Sequence, residues 1–179
     1  MNIYKLKFTR LQNEIFRLLC IKAGTTMNLR EIARTLKVSP TAVGKAIKGL
    51  RELISQEKSK TINLVTAQLN RNSLKAIQMK RVENLKMLYE SKLPEFLEER
   101  FPGCTIILFG SYSLGEDVMS SDVDIAIIGT KRCDLDLTGY SRLLERDINI
   151  QYYGRLNKVI VDLRENILNG ITLSGGVEL

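Results

Sequence analysis

Residues 108–128 read LFGSYSLGEDVMSSDVDIAII, and this stretch places two carboxylates inside an apolar strand pattern. A first apolar run stops at Gly110-Ser111, a polar loop follows, and a second apolar run carries Asp122 and Asp124. Strand alternation puts both aspartates on one face, about 7 Å apart along the chain. Because an unpaired buried charge is costly, we expect something bound at this face to neutralise them.

The residue types around these aspartates favour a magnesium–phosphate site. Mg²⁺ prefers carboxylate oxygen, and proteins bind it through one or two carboxylates together with substrate phosphates. Gly110 has no side chain, so its backbone amide could approach a phosphate, and the Ser111 hydroxyl could donate to the same group. For the Gly-Ser pair alone, the alternative is a turn that only ends a strand.

The composition excludes several kinds of chemistry. The 179 residues are enough for one domain or two small ones and include no histidine, so catalysis must rest on carboxylates, metal or cations. The cysteines, Cys20, Cys104 and Cys133, lack the spacing of a disulfide framework or zinc site. Neither a signal-peptide core nor an apolar run of roughly 20 residues is present. We therefore expect a cytoplasmic protein that does not contact the membrane.

The net charge of +7 hides a strong asymmetry along the chain. Residues 1–80 hold 16 lysines and arginines against four acids, whereas the remaining residues hold 11 against 16. A basic half followed by an acidic half predicts two modules with different partners. The basic half is the candidate for binding a polyanion.

Three short helical patterns occupy the basic half. Apolar residues recur at helical spacing over residues 8–22, and Asn28 is suited to cap a second helix over residues 29–36. Ser39 and Pro40 suit the N-cap and first position of a third helix. The buried side of that third helix is predicted to hold Val43, Ile47, Leu50 and Ile54.

The second and third helical patterns resemble a helix-turn-helix, and the alternating run within residues 55–70 resembles the wing of a winged helix-turn-helix domain. In that family one helix enters the major groove of DNA while the wing touches phosphates. The resemblance implies double-stranded DNA as a partner, contacted through Thr41, Lys45, Lys48, Lys58 and Lys60. The alternatives are a solvated basic face on a small helical domain, or a winged helix that binds proteins.

Residues 73–101 carry a long helical pattern that predicts a connecting helix, kinked or restarted at Pro94. Such a helix is a common dimer surface, and a homodimer would suit paired DNA half-sites. We therefore expect a winged helix-turn-helix over residues 1–72, a connecting helix over 73–101 and a third module over 102–179.

The third module carries Gly110 and Ser111, then ten residues, then Asp122 and Asp124. This pattern resembles the nucleotidyltransferase superfamily of DNA polymerase β, most of all its minimal branch, whose recurrent positions Gly115 and Ser121 also match. The resemblance extends from about residue 94 to residue 170 and implies a small mixed sheet.

The same resemblance assigns roles to these residues. It implies that Gly110, Ser111 and Ser121 bind the nucleotide, that Asp122 and Asp124 ligate Mg²⁺ or Mn²⁺, and that a nucleoside triphosphate (NTP) is the substrate. Two metal ions would clamp the attacking and leaving oxygens at the α-phosphorus.

Active members of the superfamily carry a third acid on a later strand, which here is predicted within residues 147–152. Asp147 and Asn149 share one face of that strand, so either could occupy the third position. With Asp147 there, the catalytic set is Asp122, Asp124 and Asp147. With Asn149 there, the third charge is missing, and the site could bind nucleotide without turning it over.

The sequence therefore predicts a mixed α+β protein with a winged helix-turn-helix, a connecting helix and a nucleotidyltransferase-like α/β domain. The first functional interpretation is Mg²⁺-dependent transfer of a nucleotidyl group to an unknown protein or small-molecule acceptor, with DNA binding serving autoregulation. The second is a DNA-binding regulator whose nucleotidyltransferase-like domain senses nucleotide or is inactive. The third is an antitoxin-like protein that modifies or binds a toxin partner.

Overall fold

The computed structural model describes residues 7–58 and 64–176 and divides the chain into two compact units, Met1–Lys80 and Arg81–Leu179. Each unit contains its own cluster of buried apolar residues. The predicted mixed α+β class is confirmed, because the described chain combines helices with a three-stranded and a four-stranded sheet. The module boundaries expected after residues 72 and 101 stay a prediction.

The N-terminal unit combines three helices with a three-stranded sheet. Its elements in chain order are α1 (Arg10–Ile21), β1 (Met27–Asn28), α2 (Leu29–Leu36), α3 (Pro40–Ile47), β2 (Ile54–Lys58) and β3 (Val65–Leu69). The strand β3 lies between β1 and β2 and pairs antiparallel with both. This order of helices and strands is that of a winged helix-turn-helix, as the sequence predicts.

Local capping explains why α2 and α3 begin where the sequence predicts. The Asn28 side chain accepts the backbone N–H of Glu31, and the Glu31 carboxylate accepts the N–H of Asn28 in return. At the start of α3 the Ser39 hydroxyl accepts the N–H of Ala42, while Pro40 occupies the first turn, where no helical hydrogen bond is lost.

The third helix is shorter than predicted. Val43 and Ile47 are buried on α3, but the helix ends at Ile47 and continues only as a 3₁₀ turn over Lys48–Leu50. Ile54 opens β2 instead of extending the helix. The glycine at position 49 disfavours a further α-helical turn by about 1 kcal/mol relative to alanine. All four residues predicted for the apolar side are nevertheless buried.

The helical pattern of residues 73–101 forms two helices, α4 (Leu74–Glu90) and α5 (Leu93–Arg100). Lys92 interrupts them with a left-handed backbone, at φ 61°. Pro94 lies in the first turn of α5, where its missing N–H is tolerated, so the predicted break at Pro94 is a restart. Among the described residues, no helix is both long and apolar enough to cross a membrane.

The C-terminal unit is built on a four-stranded mixed sheet in the order β6-β5-β4-β7. The elements that follow α5 in chain order are β4 (Thr105–Phe109), α6 (Gly110–Leu114), β5 (Val123–Ile128), α7 (Thr138–Leu144), β6 (Ile148–Tyr153), α8 (Val161–Leu168) and β7 (Ile171–Ser174). The strand β4 is antiparallel to β5 and to β7, whereas β5 and β6 are parallel. The end of β4 therefore meets the starts of β5 and β6 at one end of the sheet.

Both faces of this sheet are covered, which explains the nearly continuous apolar character of its central strands. Val123, Ile125 and Ile127 of β5 belong to the cluster that includes Leu88 and Leu97. The opposite face carries a second cluster, formed by Ile107, Phe109, Ala126, Leu156, Val159 and Ile167. Alternation along β5 places Asp122 and Asp124 on the same face as Ala126, at the end of the sheet where that strand begins.

Candidate functional site

The turn after β4 presents an open backbone at this end of the sheet. Gly110 adopts φ 71°, a conformation that residues with a side chain rarely take. The Ser113 hydroxyl donates to the Gly110 carbonyl at 2.7 Å and holds the turn in place. The Ser111 hydroxyl forms no hydrogen bond with the part of the chain that the structure describes. This hydroxyl is therefore available to a ligand.

The second aspartate lies directly against this turn. In the antiparallel pairing of β4 and β5, Asp124 is the partner of Phe109, the residue before Gly110. A methyl group on residue 110 would lie only 2.8 Å from Asp124 Oδ2. A carboxylate oxygen thus faces the backbone that the sequence predicts to bind phosphate, and only glycine leaves space for it.

The two aspartates differ in their exposure. Asp122 precedes β5 and is exposed, whereas Asp124 is half-buried, and Val123 between them is fully buried. This alternation confirms that both carboxylates share one face of the strand. A ligand at this end of the sheet can reach both carboxylates without displacing the core.

The residue beside Asp124 on the neighbouring strand is Asn149. The parallel register of β5 and β6 pairs these two residues, and Asn149 Nδ2 donates to Asp124 Oδ1 at 2.9 Å. One oxygen of Asp124 is therefore oriented by an amide, while the other faces Gly110. The position next to Asp124 holds no third carboxylate.

Asp147 precedes Asn149 by two residues, so it lies on the same face of the sheet, next to Asp122. Its carbonyl accepts the Val123 N–H at 2.8 Å. Asp122 and Asp147 line one cavity of about 350 Å³, together with Ser121 and Thr138. The structure thus gives the two candidates different neighbours, and the catalytic role of Asp147 stays a prediction.

The predicted nucleotide-binding residue Ser121 closes the loop before β5. Its hydroxyl accepts the Val118 N–H at 3.0 Å, and its own N–H donates to the Val118 carbonyl at 2.9 Å. These bonds fix the backbone immediately before Asp122. The hydroxyl proton of Ser121 can still be donated to a ligand, and that role stays a prediction.

A buried polar network behind the site was missed by sequence reasoning. Arg146 Nη2 lies 3.3 Å from Asp117 Oδ2, and both side chains are almost fully buried. Asn84 Nδ2 donates to Asp117 Oδ1 at 2.7 Å and to the Tyr112 carbonyl at 2.9 Å. The network ties the loop before Asp122 to the residue preceding Asp147.

A sequence signal for one member of this network does exist. Asn84 is four residues before the buried Leu88 on α4, so it interrupts the apolar face of that helix. A polar residue at such a position must be hydrogen-bonded when it is buried. The partner residues could not be found in this way, because Asp117 and Arg146 lie in loops.

A second cavity, of about 420 Å³, adjoins Asn149. Arg132, Asp134, Leu137 and Tyr152 contribute to its lining. The Tyr152 hydroxyl donates to the Cys133 carbonyl at 2.8 Å, and burial raises the pKa of this phenol. The cavity has apolar and charged walls and lies beside the carboxylate site, so part of a substrate could enter it.

The donor set at this end of the sheet fits a hard divalent cation. Asp122 and Asp124 supply carboxylate oxygens, the ligands that Mg²⁺ and Mn²⁺ prefer. Within residues 7–58 and 64–176, no three Asp, Glu or Cys side chains come together as a metal-binding group. A pair of carboxylates suits magnesium, which takes its other ligands from water and substrate phosphates.

The predicted DNA-contacting residues of the N-terminal unit are exposed. Thr41 and Lys45 lie on α3, Lys48 follows it, and Lys58 ends β2. None of these three lysines forms an ion pair with an acid in the described residues. The fifth predicted contact, Lys60, lies outside the described residues.

Residues 90–172 match the family model of the nucleotidyltransferase domain. The chain carries a nucleotidyltransferase domain. The matched range contains Gly110, Ser111, Asp122, Asp124 and both candidates for the third position. Nucleotidyltransferase domains generally use a divalent metal and an NTP. The predicted nucleotidyltransferase domain is thus confirmed for residues 90–172, whereas the superfamily of DNA polymerase β and its minimal branch stay predictions.

Several solved structures resemble part of the chain, and no curated protein matches it. A variant of ZitR from Lactococcus lactis is 27% identical, over 54% of this chain and 64% of that one, with a TM-score of 0.38. A ZitR variant in complex with DNA is 27% identical and covers 56% of this chain and 66% of its own, with a TM-score of 0.38. The adhesin competence repressor AdcR from Streptococcus pyogenes is 21% identical and covers 53% of this chain and 69% of its own, with a TM-score of 0.38.

The chain thus covers less than two thirds of the length of the first of these proteins. TM-scores this low do not establish a common fold. The winged helix-turn-helix assignment rests on the order and pairing of the elements in the N-terminal unit.

Proposed function

We propose that this chain transfers a nucleotidyl group from an NTP to a protein or small-molecule acceptor in a Mg²⁺-dependent reaction, and that its winged helix binds double-stranded DNA. The observation that carries the catalytic part is the closeness of Asp124 to the Gly110 turn: Asp124 pairs with Phe109, and its Oδ2 would lie 2.8 Å from a methyl group on residue 110. This contact joins the metal-binding carboxylates and the phosphate-binding turn into one site, as nucleotidyl transfer requires.

Each residue of the site has a distinct part in this mechanism. The Gly110 turn and the Ser111 hydroxyl donate to triphosphate oxygens, while Asp122 and Asp124 hold the metal. A divalent ion bound there supplies positive charge for the α-phosphorus displacement and for the departing pyrophosphate. Asp147, which lines the same cavity as Asp122, accepts the proton of the acceptor group. Catalysis consists mainly of positioning and charge stabilisation.

We expect Mg²⁺ together with NTP to raise the melting temperature of the chain, because a ligand that binds only the folded state stabilises it. The rise is on the order of 10 °C at a nucleotide concentration about 100-fold above Kd. Asp122→Asn should abolish it, whereas the exposed Asp162→Asn, on α8, should not. Thermal unfolding followed by circular dichroism tests this, and an unchanged rise in Asp122→Asn would reject the assigned metal site.

A second candidate function is a nucleotide sensor that does not turn over its ligand. The hydrogen bond between Asn149 and Asp124 favours it, because an amide occupies the position next to the half-buried carboxylate. A sensor and an enzyme both show the Mg²⁺-dependent rise in melting temperature. Only the enzyme transfers label from an α-labelled NTP.

The DNA-binding part of the proposal is supported by the charge of the N-terminal unit. Its exposed cations at Lys45, Lys48 and Lys58 have no acidic partner among the described residues, so they remain free to neutralise phosphates. In a winged helix-turn-helix the helix equivalent to α3 enters the major groove. Lys45 and Lys48 lie on and just after that helix.

Lys45→Ala/Lys48→Ala should weaken DNA binding. The steepness of log K against log salt concentration should fall by about 2, because each phosphate contact contributes about 0.9 to that slope. Fluorescence anisotropy with a labelled duplex at several salt concentrations measures the slope. The control is Arg10→Ala/Lys75→Ala, which removes two cations that already pair with Glu14 and Glu52. Equal slopes in the two double variants would reject the docking surface.

We also propose that the chain forms a homodimer. Val82 and Tyr89 are spaced seven residues apart on α4 and are 61% and 43% exposed, so they form an apolar strip on one helix face. Two copies of such a strip can pack together and would present two winged helices to paired half-sites. A monomer mass in sedimentation equilibrium at micromolar concentration would reject this part of the proposal.

A further inference from the structure

A cavity of about 760 Å³ lies at the opposite end of the C-terminal sheet from Asp122 and Asp124. It is lined by Ile128 at the end of β5, Gly154 directly after β6 and Thr105 at the start of β4. The six residue steps of β5 separate the two ends by roughly 20 Å. The cavity is therefore separate from the carboxylate site and is not used by the proposed mechanism.

The polar lining of this cavity is cationic. Arg155 and Arg164 both contribute to it, and no acidic side chain of residues 7–58 and 64–176 is part of its lining. Neither guanidinium pairs with an acid or forms a hydrogen bond in the described part of the chain. Arg155 is exposed and Arg164 is half-buried. Two guanidinium groups with no acidic partner among the described residues place positive charge beside one concave surface, which favours an anionic occupant.

Glycines keep the cavity open. At Gly103, Gly154 and Gly176, an added methyl group would meet no heavy atom of the described residues within 4 Å. Backbone atoms are therefore accessible from the cavity at three separate positions of its lining. Accessible backbone N–H groups are additional donors for an anion.

One part of the lining is apolar. Leu156 is buried at the base, and Ile128 and Leu168 complete this wall. A cavity that combines guanidinium groups with an apolar wall is suited to a ligand that has both an anionic group and a flat or apolar part. The volume falls within the range of about 300–1,000 Å³ that is typical of small-molecule sites.

We propose that this cavity binds a phosphate-bearing small molecule of about the size of a mononucleotide. The guanidinium groups of Arg155 and Arg164 match phosphate in geometry and charge, since each presents a planar fork of N–H donors. Because no carboxylate of the described residues lines the cavity, we expect binding without a divalent metal. This property separates the site from the Asp122–Asp124 site and makes the proposal independent of the proposed transfer reaction.

The test is isothermal titration calorimetry of the full chain with adenosine monophosphate (AMP) in the presence of EDTA. Wild type and Asp122→Asn/Asp124→Asn should bind AMP equally. Arg155→Gln/Arg164→Gln should bind at least tenfold more weakly, a loss of about 1.4 kcal/mol or more. The matched control is Lys158→Gln, which removes a neighbouring exposed cation that does not line the cavity.

Gly154→Phe is a second test of the cavity, and it leaves both arginines unchanged. Residue 154 does not have the positive φ that disfavours side chains, and it faces open space, so the ring can enter the cavity without strain. AMP binding should be lost, while the melting temperature without ligand stays at the wild-type value. Retention of binding in both Gly154→Phe and Arg155→Gln/Arg164→Gln would overturn the proposal.

Inorganic phosphate, titrated in the same way, distinguishes the two sources of the anion. Tighter binding of AMP than of phosphate supports a nucleotide whose base lies against the apolar wall. Equal binding of the two, lost in Arg155→Gln/Arg164→Gln, supports a site that recognises the phosphate alone. Absence of measurable heat with either probe at millimolar concentration would contradict the site altogether.

Discussion

Replacing Arg146 with methionine should lower the free energy of unfolding of the C-terminal unit by about 3–5 kcal/mol, the cost of removing one partner of a buried ion pair. The Asp117 side chain is fully buried and would lose this cationic partner. Asn84 would still donate to Asp117 Oδ1, but an amide carries no positive charge. Hydrogen exchange of the buried β5 amides measures this free energy for the unit by itself.

Two further variants test whether the loss of stability in Arg146→Met comes from the buried ion pair. Arg142→Met changes an exposed arginine on α7 and should stay within about 0.5 kcal/mol of wild type. The double variant Arg146→Met/Asp117→Leu replaces both charges with apolar groups and should recover most of the loss, since a buried pair contributes little net stability. A loss in Arg146→Met no larger than that in Arg142→Met would show that the pair is not buried in solution.

Gly110→Ala should weaken Mg²⁺-dependent NTP binding by at least tenfold, equivalent to about 1.4 kcal/mol. Two effects add at this position. The left-handed backbone costs a residue with a side chain about 1–2 kcal/mol. The new methyl group would also lie 2.8 Å from Asp124 Oδ2 and displace the carboxylate that holds the metal. Titration of NTP in Mg²⁺, with melting temperature as the signal, gives the affinity.

Gly103→Ala introduces similar backbone strain at the opposite end of the sheet, and it is the control for a general loss of stability. Gly103 has φ 78°, close to that of Gly110, but an added methyl group there would have no neighbour within 4 Å. Gly103→Ala therefore has the same backbone strain without the contact, and its NTP affinity should equal that of wild type. If the two alanine variants bound NTP equally, the contact between Asp124 and the Gly110 turn would have no part in binding.

Much of the local structure followed from short-range sequence patterns. The alternation of Asp122, Val123 and Asp124 fixes which side chains share a face, because the period of a strand is two residues. The starts of α2 and α3 depend on Asn28 and Ser39, whose side chains accept hydrogen bonds from the next turn. Such features involve neighbouring residues only, so no knowledge of the rest of the fold was needed.

The neighbour of Asp124 could not be predicted in the same way. Asp147 and Asn149 are two residues apart and share a face, so alternation fits both. The long connection between β5 and β6 leaves the register to tertiary packing, which pairs Asp124 with Asn149. The partners Asp117 and Arg146 are 29 residues apart in loops, where no periodic pattern relates them.

The central claim is nucleotidyl transfer at Asp122 and Asp124, and label transfer from an α-labelled NTP tests it most directly. The full chain is incubated with Mg²⁺ or Mn²⁺ and lysate of its host, beside Asp122→Asn/Asp124→Asn. Transfer of label to an acceptor by the wild type alone is the predicted result. Equal labelling by the double variant, or no labelling by a wild type that binds Mg²⁺ and NTP, would contradict the claim.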